Sequence, residues 1–281
     1  MRDRLWSTAV WQRTLSFGGR AGGRVARLVP RSLWVRVAEH ARRTGHLDYA
    51  HADIQMCVDS WVENDVRLHS CAKEPETIAW IESALKPGDV FFDIGANVGA
   101  YALVAYAHLG GNCAVYAFEP GFATFPQLCR NIALNRAEGA IVPLQLALSD
   151  AVTLAPFHYQ NTLTGGALHS LGAAVNQFGR GFHPTVTLKT PAFRLDDLVA
   201  QLSLPWPNHI KIDVDGTERQ VLEGACATIE RPELRTLLIE LSERGSDRHA
   251  IDAFLTGRGL SSGAPHGGNV LYTRAARLAP G

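Results

Sequence analysis

The sequence predicts a doubly wound α/β fold on three observations. From residue 89 onward, short and almost wholly apolar runs alternate with stretches of helical periodicity, as in parallel sheets whose strands are buried on both faces. The first of these runs ends in a glycine turn, Gly95 to Gly99, that opens a helix. Open α/β sheets leave a ligand crevice at that kind of carboxyl edge. The length of 281 residues, 46% hydrophobic and 19% charged, exceeds one ordinary domain without reaching two, so one core with appendages is expected.

The elements follow in order. Glu76 to Ile81 has helical spacing with Pro75 in the first turn, and Lys86-Pro87-Gly88 ends that helix. Asp89 to Ile94 reads as a buried strand, followed by a helix to Leu109. Cys113 to Phe118 repeats the strand pattern and stops at Glu119-Pro120, before a helix over Ala123 to Asn135. Ile141 to Leu148 reads as a third strand. Ala151 to Tyr159 and Thr185 to Thr190 are β-type pieces around a glycine-rich loop, Asn161 to Gly172, and form an insertion in the rhythm at 151–191. The alternation resumes with helix Leu195 to Leu202, strand His209 to Val214, helix Glu218 to Ile229, strand Thr236 to Leu241 and helix Ser246 to Gly257. A turn through Gly267-Gly268-Asn269 then leads into a last run, Val270 to Thr273.

Charge divides the chain. The 27 basic and 27 acidic residues cancel overall, yet residues 1–45 hold ten Arg, no Lys and only Asp3 and Glu39 as acids. That segment carries +8 and the rest −8. Residues 1–66 therefore read as a basic N-terminal helical extension or cap, and 67–281 as the main domain. A solvated surface is the first reading of the extension. Weak contact with a membrane surface through Leu5, Trp6, Ala9 and Val10 beside Arg2, Arg4 and Arg13 is the second. Nucleic-acid binding is not expected, since no aromatic-interleaved recognition motif accompanies the charge. The five cysteines form no CxxC pair and read as reduced thiols. No run approaches the roughly 18 apolar residues of a membrane-spanning helix. A secretory signal fits poorly because Arg13 breaks the apolar run after Leu5, so a cytoplasmic protein is the expectation.

The chemistry concentrates at strand ends. The dinucleotide fingerprint G-x-G-x-x-G would require Gly at 97 and 100, where the chain has Asn97 and Ala100. A carboxylate at Asp93 would repel a pyrophosphate and suit a cationic amine. Glu119, at the tip of the second strand, is placed to accept hydrogen bonds from vicinal ribose hydroxyls. A nucleoside with an amine and no phosphate describes S-adenosylmethionine.

Gly88 to Gly99, Ala117-Phe118-Glu119-Pro120 and Ile210-Lys211-Ile212-Asp213-Val214-Asp215-Gly216 together resemble the FkbM-type S-adenosylmethionine-dependent methyltransferases. Ala147-Leu148-Ser149-Asp150, Leu195-Asp196-Asp197-Leu198 and Ile239-Glu240 extend the likeness over Arg67 to Thr273. The resemblance implies a Rossmann-like seven-stranded class I methyltransferase sheet with its last strand antiparallel, and methyl transfer to a hydroxyl of a sugar or natural-product-like small molecule. It also implies that Gly95, Ala96, Asn97 and Gly99 line the methionine moiety, Glu119 the ribose, and Leu148 with Ser149 the adenine. Asp215 departs from the family, which more often has Glu there. N- or carboxyl-methylation, or a non-catalytic protein that keeps the fold, are the alternatives.

A sulfonium methyl is already activated, so the enzyme must chiefly align the acceptor oxygen and accept its proton. Asp213 is the first candidate for that role and Glu240 the second. Asp215 reads equally as a catalytic acid and as a cap of the helix beginning near Thr217. Asp213, Asp215 and Glu240 have the oxygen chemistry for Mg²⁺, but their spacing does not require a metal, and the metal-free reading is preferred. Glu74 reads as an N-cap or a weaker contact, and Thr164-Gly165-Gly166 as a flexible loop before a ligand contact. His69, His158, His169 and His183 lie near loops, each more readily a surface or structural residue than a base.

Overall fold

The computed structural model describes residues 43–175, 179–241 and 248–275. The membrane-surface reading of the Arg-rich segment falls on positions outside the described residues.

Two short strands, β1 (Arg43–His46) and β2 (Gln55–Val58), pair with each other ahead of helix α1 (Trp61–Asp65). Ser60 and Glu63 form a reciprocal capping box at the start of α1: Glu63 N–H donates to Ser60 Oγ and Ser60 N–H to Glu63 Oε2. A 3₁₀ turn over Arg67–His69 leads to α2 (Ser70–Lys73) and α3 (Pro75–Ala84). Then come β3 (Val90–Ile94), α4 (Ala100–His108), β4 (Ala114–Phe118), α5 (Phe125–Leu134) and β5 (Ile141–Leu144).

The placement of residues 44–66 differs from the reading that grouped them with the extension, since they belong to the same compact unit as the described residues that follow them. The reason is packing. Leu47, Tyr49, Ile54 and Met56 are buried in a hydrophobic cluster with α3, α4 and α5. The β2 amides of Gln55 and Cys57 donate to the side chains of Asn135 and Asn131 at 3.0 and 2.8 Å.

The apolar run Ile141 to Leu148 is not one strand. It breaks after Leu144, and β6 (Ala147–Leu148) joins a second, four-stranded sheet with β7 (Thr153–Tyr159), β8 (Ser170–Leu171) and β9 (Val186–Phe193), in the order β6-β9-β7-β8. After α6 (Leu195–Leu202) and β10 (His209–Ile212), the helix expected over 218–229 is two: α7 (Glu218–Glu223) and α8 (Cys226–Glu230). The break at Gly224 is dictated from outside. A Cβ there would lie 2.0 Å from the Ser149 carbonyl oxygen, and the Asp196 carboxylate accepts the Ala227 and Thr228 amides to start α8. β11 (Thr236–Glu240), α9 (Arg248–Thr256), β12 (Leu260–Ser262) and β13 (Asn269–Arg274) complete the described chain. The single apolar residue of β12 gave no strand signal.

The main sheet has seven strands in the order β12-β13-β11-β10-β3-β4-β5. Neighbours from β11 to β5 are parallel, and β13 runs antiparallel to both β11 and β12. Successive side chains face opposite sides of a strand. Phe91 thus enters the cluster with Trp80, Leu103 and Leu128, and Phe92 the cluster with Leu198, Val221, Ile229 and Leu255; both are fully buried. The same alternation governs the polar residues. Asp93 shares the face of Phe91, Lys211 is its direct partner on β10, and Leu238, two residues before Glu240, is the partner of Lys211 on β11. Asp93, Lys211, Asp213 and Glu240 therefore converge on the side covered by α3 and α4.

Candidate active site

The glycine turn after β3 is held by its neighbours. Gly95 and Ala96 both donate to the Phe118 carbonyl, at 2.9 and 3.0 Å. Gly95 has φ +82°, and a Cβ on it would lie 1.9 Å from the Asp213 carbonyl oxygen. The bare backbone at this position serves the approach of the β10 exit as well as the turn. Asn97 adopts a left-handed φ of 50° and links three parts of the site. Its N–H donates to Glu119 Oε2 at 2.9 Å, its Oδ1 accepts from Val98 N–H, and its Nδ2 donates to the Gly166 carbonyl at 2.8 Å. Gly99 occupies the N-cap of α4.

Two buried carboxylates stand at the tips of β3 and β4. Asp93 is fully buried and neither oxygen has a hydrogen-bond partner. Burial pushes its pKa up to about 6, against the opposing pull of Lys211. Glu119 is held by two backbone donors, Gly121 N–H on Oε1 at 2.7 Å and Asn97 N–H on Oε2 at 2.9 Å. Burial still raises it to about 7. Each Glu119 oxygen keeps a lone pair for a further donor.

The third centre lies at the ends of β10 and β11. Lys211 is 1% exposed in the middle of a strand, and its Nζ lies 2.7 Å from Asp213 Oδ2 and 4.8 Å from the centre of the Tyr101 ring. Burial alone would favour the neutral amine, but Asp213, Glu74 and Asp93 surround it with negative charge and keep it protonated. Burial likewise opposes ionisation of Asp213, and Lys211 outweighs it, so the Asp213 carboxyl sits well below the usual range. Glu240, hydrogen-bonded to Asp213, is pushed up to about 9 by that charge. The charge of Lys211 thus favours the ionised form of Asp213 over that of Glu240.

Asp215 does not cap α7, whose N-cap Thr217 also makes no side-chain cap. Its Oδ2 accepts the His169 N–H at 3.1 Å and so ties the insertion to the sheet. The His169 ring stacks near Tyr159 and Phe157, 5.1 and 5.9 Å between centres, and Tyr159 packs against Phe122 beside Glu119. Burial keeps His169 neutral, with its pKa down at about 4. His158 is engaged within the insertion by Thr187 and the Gly172 carbonyl. Leu148 is buried in the cluster containing Phe92 and Phe118, and Ser149 Oγ donates to Asp150. Glu74 precedes α3 without capping it; its carboxylate pairs with Lys73 at 2.7 Å and accepts from Thr77. Among the described residues, no group of three or more His, Cys, Asp or Glu is arranged to hold a metal ion, and no helix is long and apolar enough to cross a membrane.

Thr164-Gly165-Gly166 is strapped down. Ser60 Oγ donates to the Thr164 carbonyl at 2.6 Å, Arg67 Nε to that of Gly165 at 2.8 Å, and Asn97 Nδ2 to that of Gly166. Sequence reasoning missed Lys211, Arg67 and Tyr101. Lys211 had a signal: a charge flanked by Ile210 and Ile212 in a strand buried on both faces requires a partner. Arg67 had none, because the residues it meets are about a hundred positions away.

A parallel sheet with one reversed strand inside its edge, a glycine turn after β3 and an acid at the tip of its neighbour β4 define a class I methyltransferase fold. The chain belongs to the FkbM methyltransferase family: residues 93–261 match the family model described as "Methyltransferase FkbM domain". It is 30% identical over 198 residues to the 31-O-demethyl-FK506 methyltransferase FkbM of Streptomyces tacrolimicus, covering 63% of this chain and 74% of that one. It is 29% identical over 163 residues to the hexuronic acid methyltransferase AglP of Haloferax volcanii, covering 58% of this chain and 61% of the relative. A solved FkbM methyltransferase from Methylobacillus flagellatus KT superposes with a TM-score of 0.46 at 17% identity, over 67% of this chain and 44% of that one.

Proposed function

We propose that this methyltransferase takes its methyl group from S-adenosylmethionine and delivers it to a hydroxyl of a sugar or natural-product-like small molecule. The observation that carries the cofactor assignment is Asp93, a carboxylate buried beside the glycine turn with both oxygens unpartnered. A buried acid without a partner is costly, and a ligand ammonium group removes that cost. Glu119 fits the other end of such a ligand, because its backbone-held oxygens retain acceptor capacity for a pair of vicinal hydroxyls. The relatives support the acceptor class, one named for 31-O-demethyl-FK506 and the other for a hexuronic acid.

When bound, the cofactor supplies a methyl group already activated on a sulfonium. The chain's own work is then to orient the acceptor and receive one proton. Asp213 is ionised, its side chain is 27% exposed, and its Oδ2 is occupied by Lys211. The Asp213 carboxylate, with Lys211 and Glu240 as its neighbours, is therefore the group that accepts the acceptor's hydroxyl proton. The Glu240 carboxyl is pushed up by the Asp213 charge, which suits it to support Asp213 rather than to act as the base. The rings of Phe122, Phe157 and Tyr159 pack against one another beside Glu119.

Calorimetry with S-adenosylhomocysteine tests the cofactor: no heat of binding would remove the assignment, and Glu119→Ala should weaken binding about tenfold or more. Incubation with methyl-labelled S-adenosylmethionine and extract of the source organism, followed by identification of the labelled product, tests the acceptor. Label on nitrogen or a carboxyl group would overturn O-methylation.

A further inference from the structure

Six carboxylates act on this region: Asp93, Glu119, Asp213, Asp215 and Glu240 at the strand ends, and Glu74 before α3. The cations that act on them are Lys73, Lys211 and Arg67. Lys73 is paired with Glu74 and Lys211 with Asp213. Arg67 differs from both. Its Nε is fixed on the Gly165 carbonyl at 2.8 Å, and its stem packs against Gly165, whose Cβ position lies 3.3 Å from Arg67 Cγ and 3.7 Å from Val98 Cγ1 of the glycine turn. The charge of Arg67 acts on Tyr101, Glu119, His169 and Asp215, yet among the described residues no acceptor engages its two terminal amino groups. The side chain is half-buried, so the guanidinium is oriented by one anchor and open to a ligand on its outer edge. That edge is the geometry suited to donating two parallel hydrogen bonds to a carboxylate.

A ligand amino acid brings an ammonium group and a carboxylate together. The six acids welcome the first and repel the second, unless a cation with free donors stands beside them. We propose that Arg67 is the site that binds the carboxylate of the amino-acid portion of S-adenosylmethionine. This assignment rests on the cofactor reading above. It also gives the Thr164-Gly165-Gly166 strap a purpose: the Gly165 carbonyl anchors the Arg67 guanidinium at Nε beside the loop that packs on Val98 of the glycine turn. The same guanidinium chemistry would serve a carboxylate on the methyl acceptor, so the test must separate the two sources.

The test is calorimetry on the full chain with two probes, S-adenosylhomocysteine and its decarboxylated derivative, which keeps the amine and nucleoside. The wild-type protein should bind the decarboxylated probe roughly tenfold to a hundredfold more weakly, the range of a charge-assisted hydrogen-bonded pair. Arg67→Gln should weaken S-adenosylhomocysteine by a similar factor and change the decarboxylated probe by less than about threefold, and Arg67→Lys should fall between. Ser60→Ala removes the neighbouring strap contact without removing the cation, and should leave the ratio of the two affinities at its wild-type value. Equal binding of both probes by the wild-type protein, which needs no variant to fold, overturns the assignment and points to the acceptor as the source of the carboxylate. An equal loss for both probes in Arg67→Gln also overturns it, because the residue would then act only through the loop. Binding of neither probe by the wild-type protein would instead overturn the cofactor reading beneath it.

Discussion

Lys211 Nζ and Asp213 Oδ2 lie 2.7 Å apart, two residues apart in sequence and on one face of the chain, with the lysine 1% exposed and the aspartate open to the crevice. The buried lysine favours ionisation of Asp213 over Glu240. Removing one partner of a buried pair leaves an uncompensated charge at a cost of about 3–5 kcal/mol. Lys211→Met should therefore lower the unfolding free energy by about that amount, and so should Asp213→Asn to a lesser degree. The double variant should recover part of the loss. Additive losses in denaturant titrations would show that the two side chains are not coupled.

Affinity for S-adenosylhomocysteine should depend on pH through Asp93 and Glu119. Both must be ionised to hold an ammonium group and a pair of hydroxyls, and burial raises them to about 6 and about 7. Affinity is therefore full above pH 8 and falls as the pH drops through 7 and then 6. Calorimetry from pH 5 to 8.5 checks this, with Asp93→Asn flattening the lower limb. A flat profile in the wild-type protein would contradict the role of both acids.

Close backbone approach makes two glycines indispensable for different reasons. Gly95→Ala combines a φ of +82° with a Cβ 1.9 Å from the Asp213 carbonyl, and Gly224→Ala places a Cβ 2.0 Å from that of Ser149 with ordinary dihedrals. Each contact is with backbone, which cannot swing aside, so losses above about 3 kcal/mol are expected. Gly172→Ala, at φ +86° with open space around it, should cost only the strain of the left-handed conformation, about 1 kcal/mol. Thermal melts of the three variants give the ranking.

Acid should destabilise the fold through a network at the opposite end of β10. Buried His209 donates from Nε2 to the Asp89 carboxylate and shares a hydrogen bond between Nδ1 and the Thr236 hydroxyl, and Arg235 also pairs with Asp89. Burial, with Arg235 beside it, lowers His209 from 6.5 to about 4. The unfolded chain therefore binds the extra proton first, and stability present above pH 6.5 is lost as the pH falls toward 4. Burial of Asp89 is outweighed by the Lys86 N–H and Arg235, which lower its pKa and add loss in the same direction. His209→Gln should show a shallower fall of the melting temperature between pH 6.5 and 4; an unchanged slope would assign the effect elsewhere.

Much of the site was legible in the sequence because its signals are local. The strand-turn-helix pattern around Gly95 needs only neighbouring residues, and Asp93, Glu119, Asp213 and Glu240 announce themselves as acids ending apolar runs. The strand break at Leu144 was not legible, because Ile141 to Leu148 is continuously apolar and nothing in it tells which sheet a residue will join. The break at Gly224 and the strap on Thr164 to Gly166 were hidden for a related reason: their partners, Ser149, Ser60 and Arg67, are brought near only by folding.

The sequence by itself determined the class of fold and the family, through the period of its apolar runs and the residues that end them. Its 27 basic and 27 acidic residues likewise showed, by their uneven placement, a basic leader before an acidic body. Only the tertiary structure decided the roles within that body. The pairing of β10 with β3 and β11 puts Lys211 among four acids, so burial and charge could divide protons between Asp213 and Glu240. The fold of the insertion onto the glycine turn leaves Arg67 anchored on one nitrogen and open on the others. Those outcomes depend on distances across the sheet, which periodicity along the chain does not encode.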